Sequence, residues 1–293
     1  FVLRNARDER LEAMFSSSFT TALVATSLVR AAWGLQAQQA LRVVSAHPIV
    51  ATNPYTEWFR GGTATLPQVQ DLVRQFSVFS QLFLMAQLRR CLEAPTKESM
   101  REAKEILANE LGVVFRNSRK ASDDIFSPEG SIEGGRFTHR AAHFEWLLDV
   151  GDAVGLGFDD LGKRKHGSAA TLHFCDALYD IYGSEDLSTS LGASFAIEHW
   201  ANAGFWNDLV DGFDRLNASG RLRTPTHFWR FHQSLEAQHA QHTMDELQEA
   251  IDRGLIADDR RFVDAANAML DACAVFWHGL DESRRTLQPV HHR

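Results

Sequence analysis

The sequence predicts an all-α fold, and three observations support that class. Apolar residues recur at helical spacing along most of the chain, whereas strand-like alternation bounded by turn residues is almost absent. Only seven prolines interrupt the 293 residues, so the chain can form long helices. The 44% apolar and 23% charged residues are ordinary for a globular protein that buries a sizeable core.

The first segment of the chain is predicted to be a helical extension in front of the main domain. Residues 9–46 are rich in Ala, Leu and Val at helical spacing, and Pro48 and Pro54 then mark the clearest break in the chain. We therefore place an N-terminal helical extension at residues 1–45 and one domain at residues 46–293. The extension could pack on its own core or form a homodimer interface.

The main domain is predicted to be a bundle of seven helices that follow a short helix at residues 55–59. Pro95 ends the first long helix, and Thr96 to Ser99 form a capping signal for the next. The polar segment 116–135 is predicted to be a long loop of the kind that often covers a substrate. The predicted helices span residues 66–92, 96–112, 138–154, 169–182, 191–216, 225–253 and 258–280.

Charge and hydropathy exclude several classes of protein. The 38 acidic and 30 basic residues give a net charge of −8, which excludes a generic electrostatic nucleic-acid binder. No apolar run reaches the roughly 18 residues that a membrane helix requires, so a membrane protein is excluded. The widely spaced Cys91, Cys175 and Cys273 predict reduced, buried thiols rather than disulfides, and they favour a cytoplasmic location.

The most specific functional signal is a group of metal-type residues on the predicted helix 225–253. His232, Glu236 and His239 follow the spacing His-x3-Glu-x2-His, which places all three along one stripe of a helix. Two imidazoles and one carboxylate on one face suit Fe, Mn or Zn. A solvated polar face is the alternative, but such a stripe would alternate with Lys or Arg, which it does not.

Three other predicted helices each offer one further candidate ligand. Glu110 lies at a helix end, and His143 and Glu198 lie among core-type residues, where an unpaired charge is costly. Each of them alone could equally be a satisfied buried polar residue. Four helices that each direct Glu or His inward form the pattern of carboxylate di-metal bundles, although the order differs from the Glu-x-x-His pairs of ferritin.

The order and spacing of these residues resemble the heme-oxygenase-like di-iron oxidases, iron-containing redox enzymes related to the thiaminase-type and PqqC-like folds. Glu110 begins a match to the family's Glu-Leu-Gly turn, His143 matches its H-x-x-L segment, and Glu198 matches the glutamate of its fifth core helix. The motif at 232–239 matches a His-x3-Asp-x2-His motif with Glu in place of Asp. The resemblance covers about residues 48–280 and implies a seven-helix heme-oxygenase-like bundle.

The resemblance also implies a cofactor and a reaction class. Two Fe(II) ions, or one if the second site is weakened, would use O2 to oxidise a small molecule by N-oxygenation, desaturation or oxidative C–C cleavage. The family has a further carboxylate where this chain has Gln75, whose amide oxygen could still bind a metal. Arg140 could hold a substrate carboxylate. The implied metal ligands are Glu110, His143, Glu198, His232, Glu236 and His239.

Two other functions are compatible with the same residues. A metal-free enzyme similar to thiaminase-like hydrolases or PqqC-like oxidases is disfavoured, because no cysteine is predicted near Glu198 and six metal-type residues would need another purpose. A non-enzymatic helical binding protein would use the histidines as a polar seam at an interface with a partner.

Overall fold

The computed structural model describes residues 36–116, 136–139 and 143–287, with side chains omitted at 98, 102, 114–116, 136–139 and 235–242. Most of the predicted N-terminal extension, most of the predicted loop 116–135 and Arg140 therefore lie outside the described residues. The elements are α1 Ala37–Ser45, α2 Pro48–Ala51, α3 Pro54–Phe59, α4 Leu66–Leu92, α5 Lys97–Glu110, β1 Val113–Arg116, β2 Arg136–His139, α6 His143–Ala153, α7 Ala169–Ala177, α8 Leu187–Ala201, α9 Phe205–Ala218, α10 His227–Asp252 and α11 Asp259–Thr286.

The predicted all-α class is confirmed, and several predicted boundaries agree closely with the structure. Helix α4 spans the predicted residues 66–92, and α5 begins after the predicted capping box, in which the hydroxyl of Thr96 accepts a hydrogen bond from the backbone N–H of Ser99 at 3.0 Å. Helix α7 continues into a π-helical turn at Leu178–Tyr182, so the predicted helix 169–182 is also present.

Two predicted helices differ from the structure. The predicted helix 191–216 is divided into α8 and α9, because Gly204 adopts a left-handed conformation with φ 95° in front of α9. The predicted helix 138–154 begins only at His143, because residues 136–139 pair with residues 113–116 as an antiparallel hairpin. That small sheet was not predicted from the sequence.

The helices bury one continuous apolar core. Helix α11 packs along α7 and α8, α10 packs on α8 and α9, and α4 contacts α5, α6 and α7. The core is unusually aromatic, and burial of each large ring stabilises the fold by roughly 1.5–3 kcal/mol. Its largest fully buried side chains are Trp229, Trp277, Tyr55, Tyr182, Phe59, Phe76, Phe174, Phe195, Phe213, Phe228, Phe262 and Phe276.

Helix α1 belongs to the same core. Ala37, Ala40 and Val44 are buried in it, and α1 contacts α8, α10 and α11. The described end of the predicted extension therefore packs on the bundle, while the domain boundary at residue 45 stays a prediction.

The cysteines and the described helices agree with two sequence expectations. Cys91, Cys175 and Cys273 are buried free thiols. Among the residues that the structure describes, none of the helices is both long enough and apolar enough to cross a bilayer.

Candidate functional site

A β-hairpin brings two of the predicted site residues together although 33 positions separate them in the sequence. Glu110 is the last residue of α5 and lies three residues before Val113, while His143 is the first residue of α6 and lies four residues after His139. Val113 and His139 are paired in the antiparallel ladder. The end of α5 and the start of α6 therefore leave the same end of the hairpin side by side.

Glu110, His143 and His232 form a compact cluster, which we call the Glu–His cluster. The Oε2 atom of Glu110 lies 2.8 Å from Nδ1 of His143, and both side chains are at most 15% exposed. The imidazole rings of His143 and His232 are 4.8 Å apart between centroids and nearly perpendicular, at 79°. Three of the six predicted ligands, from α5, α6 and α10, thus converge.

In His143 and His232, the hydrogen bond at Nδ1 indicates which of the two ring nitrogens carries the proton. Nδ1 of His232 lies 2.8 Å from the backbone oxygen of Phe228. A carbonyl oxygen only accepts, so this nitrogen carries the proton and a neutral His232 has its lone pair on Nε2. Nδ1 of His143 likewise donates to an ionised Glu110. Histidine ligands in metal sites commonly have such a partner on the opposite nitrogen.

Aromatic side chains form the walls around the two imidazoles. Trp206, from the start of α9, stacks on His232 with a centroid separation of 4.6 Å and an interplanar angle of 18°. Phe228 lies 4.4 Å from the same ring. Phe231 lies 5.2 Å from His143. These walls reduce the access of water, which strengthens electrostatic interactions within the cluster.

A half-exposed ion pair lies beside the cluster on the side of Trp146. This indole lies 5.9 Å from His143 and 5.7 Å from His227, measured between ring centroids. Nε2 of His227 lies 3.4 Å from Oδ2 of Asp149, and the two side chains are 44% and 60% exposed. The pair marks the side on which the cluster is nearest to solvent.

The second half of the sequence motif cannot be placed in the same detail. Glu236 and His239 lie within α10, and their side chains are outside the described residues. Among the side chains that are described, no group of three or more His, Cys, Asp or Glu residues is arranged to hold a metal ion. Glu110 contacts His143 directly here, in the position of an orienting partner rather than of a separate ligand. The ligand roles of all six residues stay predictions.

Glu198 lies on α8 near a second buried cluster, formed by Arg90, Tyr182 and Glu246, which we call the arginine cluster. Nη2 of Arg90 donates to Glu246 at 2.8 Å, and its guanidinium lies over the Tyr182 ring at 4.9 Å. The pKa of Tyr182 is raised to about 12, chiefly because the phenol is buried, and the negative charge of Glu198 contributes to the rise while Arg90 opposes it. Burial opposes protonation of Arg90, yet Tyr182, Glu246 and Glu198 raise its pKa above the ordinary value.

A pocket of about 100 Å³ opens beside the arginine cluster. Arg90 and Glu246 line it together with residues from the N-terminal turns of α5 and α8 and from the last turns of α10. The space is several times the ~10–15 Å³ that one water molecule needs. Because Arg90 and Glu246 line the pocket and no residue of the Glu–His cluster does, the pocket belongs to the arginine cluster.

Gln75, predicted as a weak ligand, is occupied by structural hydrogen bonds. Its Oε1 atom accepts from the hydroxyl of Thr171 at 2.7 Å and from the backbone N–H of Ser168 at 2.8 Å. Its Nε2 atom donates to the backbone oxygen of His166 at 3.1 Å. These bonds hold the start of α7, so a metal would have to displace them. Arg140 lies outside the described residues.

Nothing in the sequence indicated Trp206 as a neighbour of the cluster. Its contact with His232 joins two different helices, and such a contact leaves no local spacing signal. Trp146 and Phe231 were visible as aromatic residues beside predicted ligands, but core residues share that pattern. The pairing of His227 with Asp149 also joins two helices far apart in the sequence.

Comparison with known proteins supports the fold and leaves the activity open. No protein-family model matches the chain, and no curated protein matches its sequence. Among solved structures, the chain is similar to a domain of unknown function with a heme oxygenase-like fold from Shewanella denitrificans OS217. The TM-score is 0.55 at 14% identity, and the match covers 85% of this chain and 90% of that chain. The predicted heme-oxygenase-like fold is therefore confirmed.

Proposed function

We propose that this protein is a non-heme, iron-dependent oxidase that uses O2 to oxidise a small molecule. The observation that supports this most is the convergence of Glu110, His143 and His232 from three separate helices. Two imidazoles and a carboxylate are a donor set that suits Fe(II). Bound iron would supply the binding and reduction of O2.

The ligand set would be completed from the same helix and from α8. Glu236 and His239 lie one and two turns after His232 on α10, so they continue along the stripe on which His232 lies. Glu198 on α8 would be the last ligand. These imidazole and carboxylate groups match the two-iron site that the resemblance implies. A site that binds one iron is the simpler alternative.

The chain itself prepares the two histidines for metal binding. The bond from His232 to the Phe228 carbonyl and the bond from His143 to Glu110 fix the orientation of both rings through Nδ1, as partners of metal-binding histidines commonly do. Trp206 and Phe228 restrict the rotation of His232 by packing on its faces. Since these side chains also exclude water, a substrate in this space would be oxidised away from bulk solvent.

Iron stoichiometry after anaerobic loading with Fe(II) tests the proposal, followed by an optical record on addition of O2. We expect about two irons per chain and a transient absorption in the wild type, and loss of both in His143→Ala. About one iron would support a mononuclear site. Absence of specific binding at neutral pH would overturn the proposal.

A metal-free enzyme is the second candidate, and one observation favours it. A carboxylate and an imidazole 2.8 Å apart, as in Glu110 and His143, can act as a general acid–base pair without metal. Activity that persists in a chelator and is lost in Glu110→Gln would support this function. Activity that is lost in the chelator and restored by Fe(II) would support the oxidase.

A further inference from the structure

An unbroken series of aromatic rings leads away from the Glu–His cluster through the core. Trp206 stacks on His232 at 4.6 Å. Phe205 contacts Trp206 at 4.5 Å and Trp277 at 5.4 Å between ring centroids. Phe76 provides a second bridge, at 5.6 Å from Trp206 and 6.3 Å from Trp277. The two indoles are therefore joined through packed rings on two sides.

The same series continues from Trp277 to the surface. Tyr55 lies 5.6 Å from Trp277 and 5.4 Å from Trp58. Trp58 is half-buried, and the guanidinium of Arg284 lies over its ring at 4.3 Å. We call Trp206, Trp277 and Trp58, with the bridging rings Phe205 and Tyr55, the tryptophan path.

The buried indoles of the path have an unusual environment. Within the described part of the chain, the indole N–H groups of Trp206 and Trp277 have no hydrogen-bond partner, as is also true of Trp200 and Trp229. Burial of an unpaired donor destabilises the fold, a cost that Phe at the same position would avoid.

This environment affects how an oxidised indole behaves. An indole that loses one electron usually loses its N–H proton to a nearby base and is then trapped. Where the N–H has no acceptor, the oxidised ring keeps its proton and can regain the electron from a neighbour. Tyr55 is buried with its ring between Trp277 and Trp58, so it serves as a bridge between the two indoles.

We propose that the tryptophan path carries single electrons from the surface at Trp58 to the Glu–His cluster. An electron leaves the indole of Trp206 for a one-electron oxidant at the cluster, which O2 and iron would supply under the proposed function. Trp277 then reduces Trp206, and Trp58 reduces Trp277. A one-electron reductant in solution, such as a thiolate or ascorbate, restores Trp58. No bond in the protein breaks, and each step moves one electron.

This inference rests on the proposed function, because that function would generate the oxidant. It adds a way to reduce the oxidant at the site when O2 reacts in the absence of substrate. Oxidising equivalents that stay at the cluster would damage His143 and His232, whereas the path moves them to a position where solvent reductants have access.

A photo-oxidant tethered near the cluster tests the path in metal-free protein. Asp149→Cys provides the attachment point, because Asp149 is 60% exposed on its side chain and pairs with His227 beside Trp146. The native cysteines are buried, so a thiol-reactive ruthenium polypyridyl complex would label the new residue selectively. After illumination with an electron acceptor, peptide mass mapping measures oxidation at Trp58.

We expect oxidation of Trp58 in the labelled parent and its loss in Trp206→Phe and in Trp277→Phe. Trp229→Phe is the matched control, because Trp229 is also buried, lacks an N–H partner and contacts Trp206 at 6.2 Å. Its other aromatic neighbours are phenylalanines, and the one that reaches Trp277, Phe76, already bridges Trp206 and Trp277 directly, so this variant should oxidise Trp58 as the parent does. Those neighbours are Phe76, Phe213 and Phe228.

Oxidation of Trp58 that is unchanged in Trp206→Phe, or equally lost in Trp229→Phe, would overturn the path. Circular dichroism and thermal unfolding confirm that each variant is folded, and Trp206→Phe carries the test if Trp277→Phe does not fold. Because the protein is metal-free, the two proposals fail separately. Absent iron binding with intact oxidation at Trp58 would overturn only the proposed function.

Discussion

Two polar clusters lie along the same helix, α10, and they differ in the charges that they contain. The Glu–His cluster uses His232 near the start of α10, and the arginine cluster uses Glu246, which lies fourteen residues later or about 21 Å along the axis. In the arginine cluster, the permanent positive charge of Arg90 is neutralised by Glu246 at 2.8 Å. The Glu–His cluster contains one carboxylate and two imidazoles that are uncharged when deprotonated.

This difference separates a complete cluster from one that a ligand can complete. Arg90 and Glu246 neutralise each other's charge, and removal of either leaves a charge in a poorly solvated place. In the Glu–His cluster, the hydrogen bonds at Nδ1 of His143 and His232 orient two neutral donors that carry no positive charge of their own to repel a cation. We therefore expect substitutions in the first cluster to reduce stability and substitutions in the second to reduce metal binding and activity.

The largest effect is expected from His232→Ala. Loss of a ligand should lower iron affinity and O2 consumption by more than ~100-fold, since outer partners of ligands alone account for about 10–100-fold. His199→Ala is a matched control, because Nδ1 of His199 also lies close to the backbone oxygen four residues earlier, at 2.7 Å from Phe195. Iron titration and oxygen-electrode rates measure both variants. Equal losses in the two would contradict a special role for His232.

The next effect concerns the arginine cluster and is one of stability. Glu246→Ala should lower the free energy of unfolding by about 3 kcal/mol, the lower end of the range for a broken buried ion pair, because Arg90 stays only 16% exposed on its side chain. Glu249→Ala is the control on the same helix. Its pair with Arg253 is 66% and 49% exposed, so a change within about 1 kcal/mol is expected. Urea denaturation of the metal-free protein measures both. A larger effect of Glu249→Ala would contradict the comparison.

The fold was largely predictable because its signals are local. Helical spacing of apolar residues predicted the class and the bounds of α4, and the capping box at Thr96 predicted the start of α5. The hairpin was missed because its strands are four residues long and lie beside a polar, Gly-rich segment. The break before α9 was missed because a single glycine, Gly204, is also tolerated inside a helix.

The site was predictable only in part, for a related reason. Glu110, His143 and His232 were singled out by residue type and by resemblance to a motif, both of which a sequence displays, and the structure brings the three side chains together. Trp206 was not found, since its contact with His232 depends on how two helices pack. Gln75 was considered as a ligand because an amide oxygen can bind a metal, whereas its hydrogen bonds with the start of α7 depend on the tertiary structure.

A smaller effect on stability is expected at Gly204, whose backbone conformation precedes α9 and so positions Trp206 beside the Glu–His cluster. Gly204→Ala should destabilise the fold by about 1–2 kcal/mol, because φ is 95° and a Cβ is disfavoured there, although no atom lies closer than 3.8 Å to it. Gly157→Ala is the control, because Gly157 has φ −84° and its added Cβ would also meet only an ordinary contact. Thermal unfolding measures stability, and iron binding shows whether a shifted Trp206 disturbs His232. Equal stability of the two variants would contradict the backbone argument.

The smallest effect is a pH dependence at His199, which follows Glu198 on α8. Burial lowers the pKa of His199 below its ordinary value of 6.5, opposed by the Phe195 carbonyl and by Glu198. Between the lowered and the ordinary pKa, the unfolded chain therefore binds more protons than the folded chain, so stability falls as the pH drops through this window. His199→Gln removes this titration and should lose less stability than the wild type on acidification.

Denaturant titrations at pH values above and below the ordinary pKa of histidine measure the difference in stability between the wild type and His199→Gln. The variant His278→Gln, at an exposed histidine, serves as the control. Every other titrating group is common to the wild type and the variant, so subtraction isolates the contribution of His199. An identical pH slope in wild type and His199→Gln would show that burial does not shift this imidazole. A slope that changes as much in His278→Gln would assign the effect to loss of histidine charge in general, and not to the environment beside Glu198.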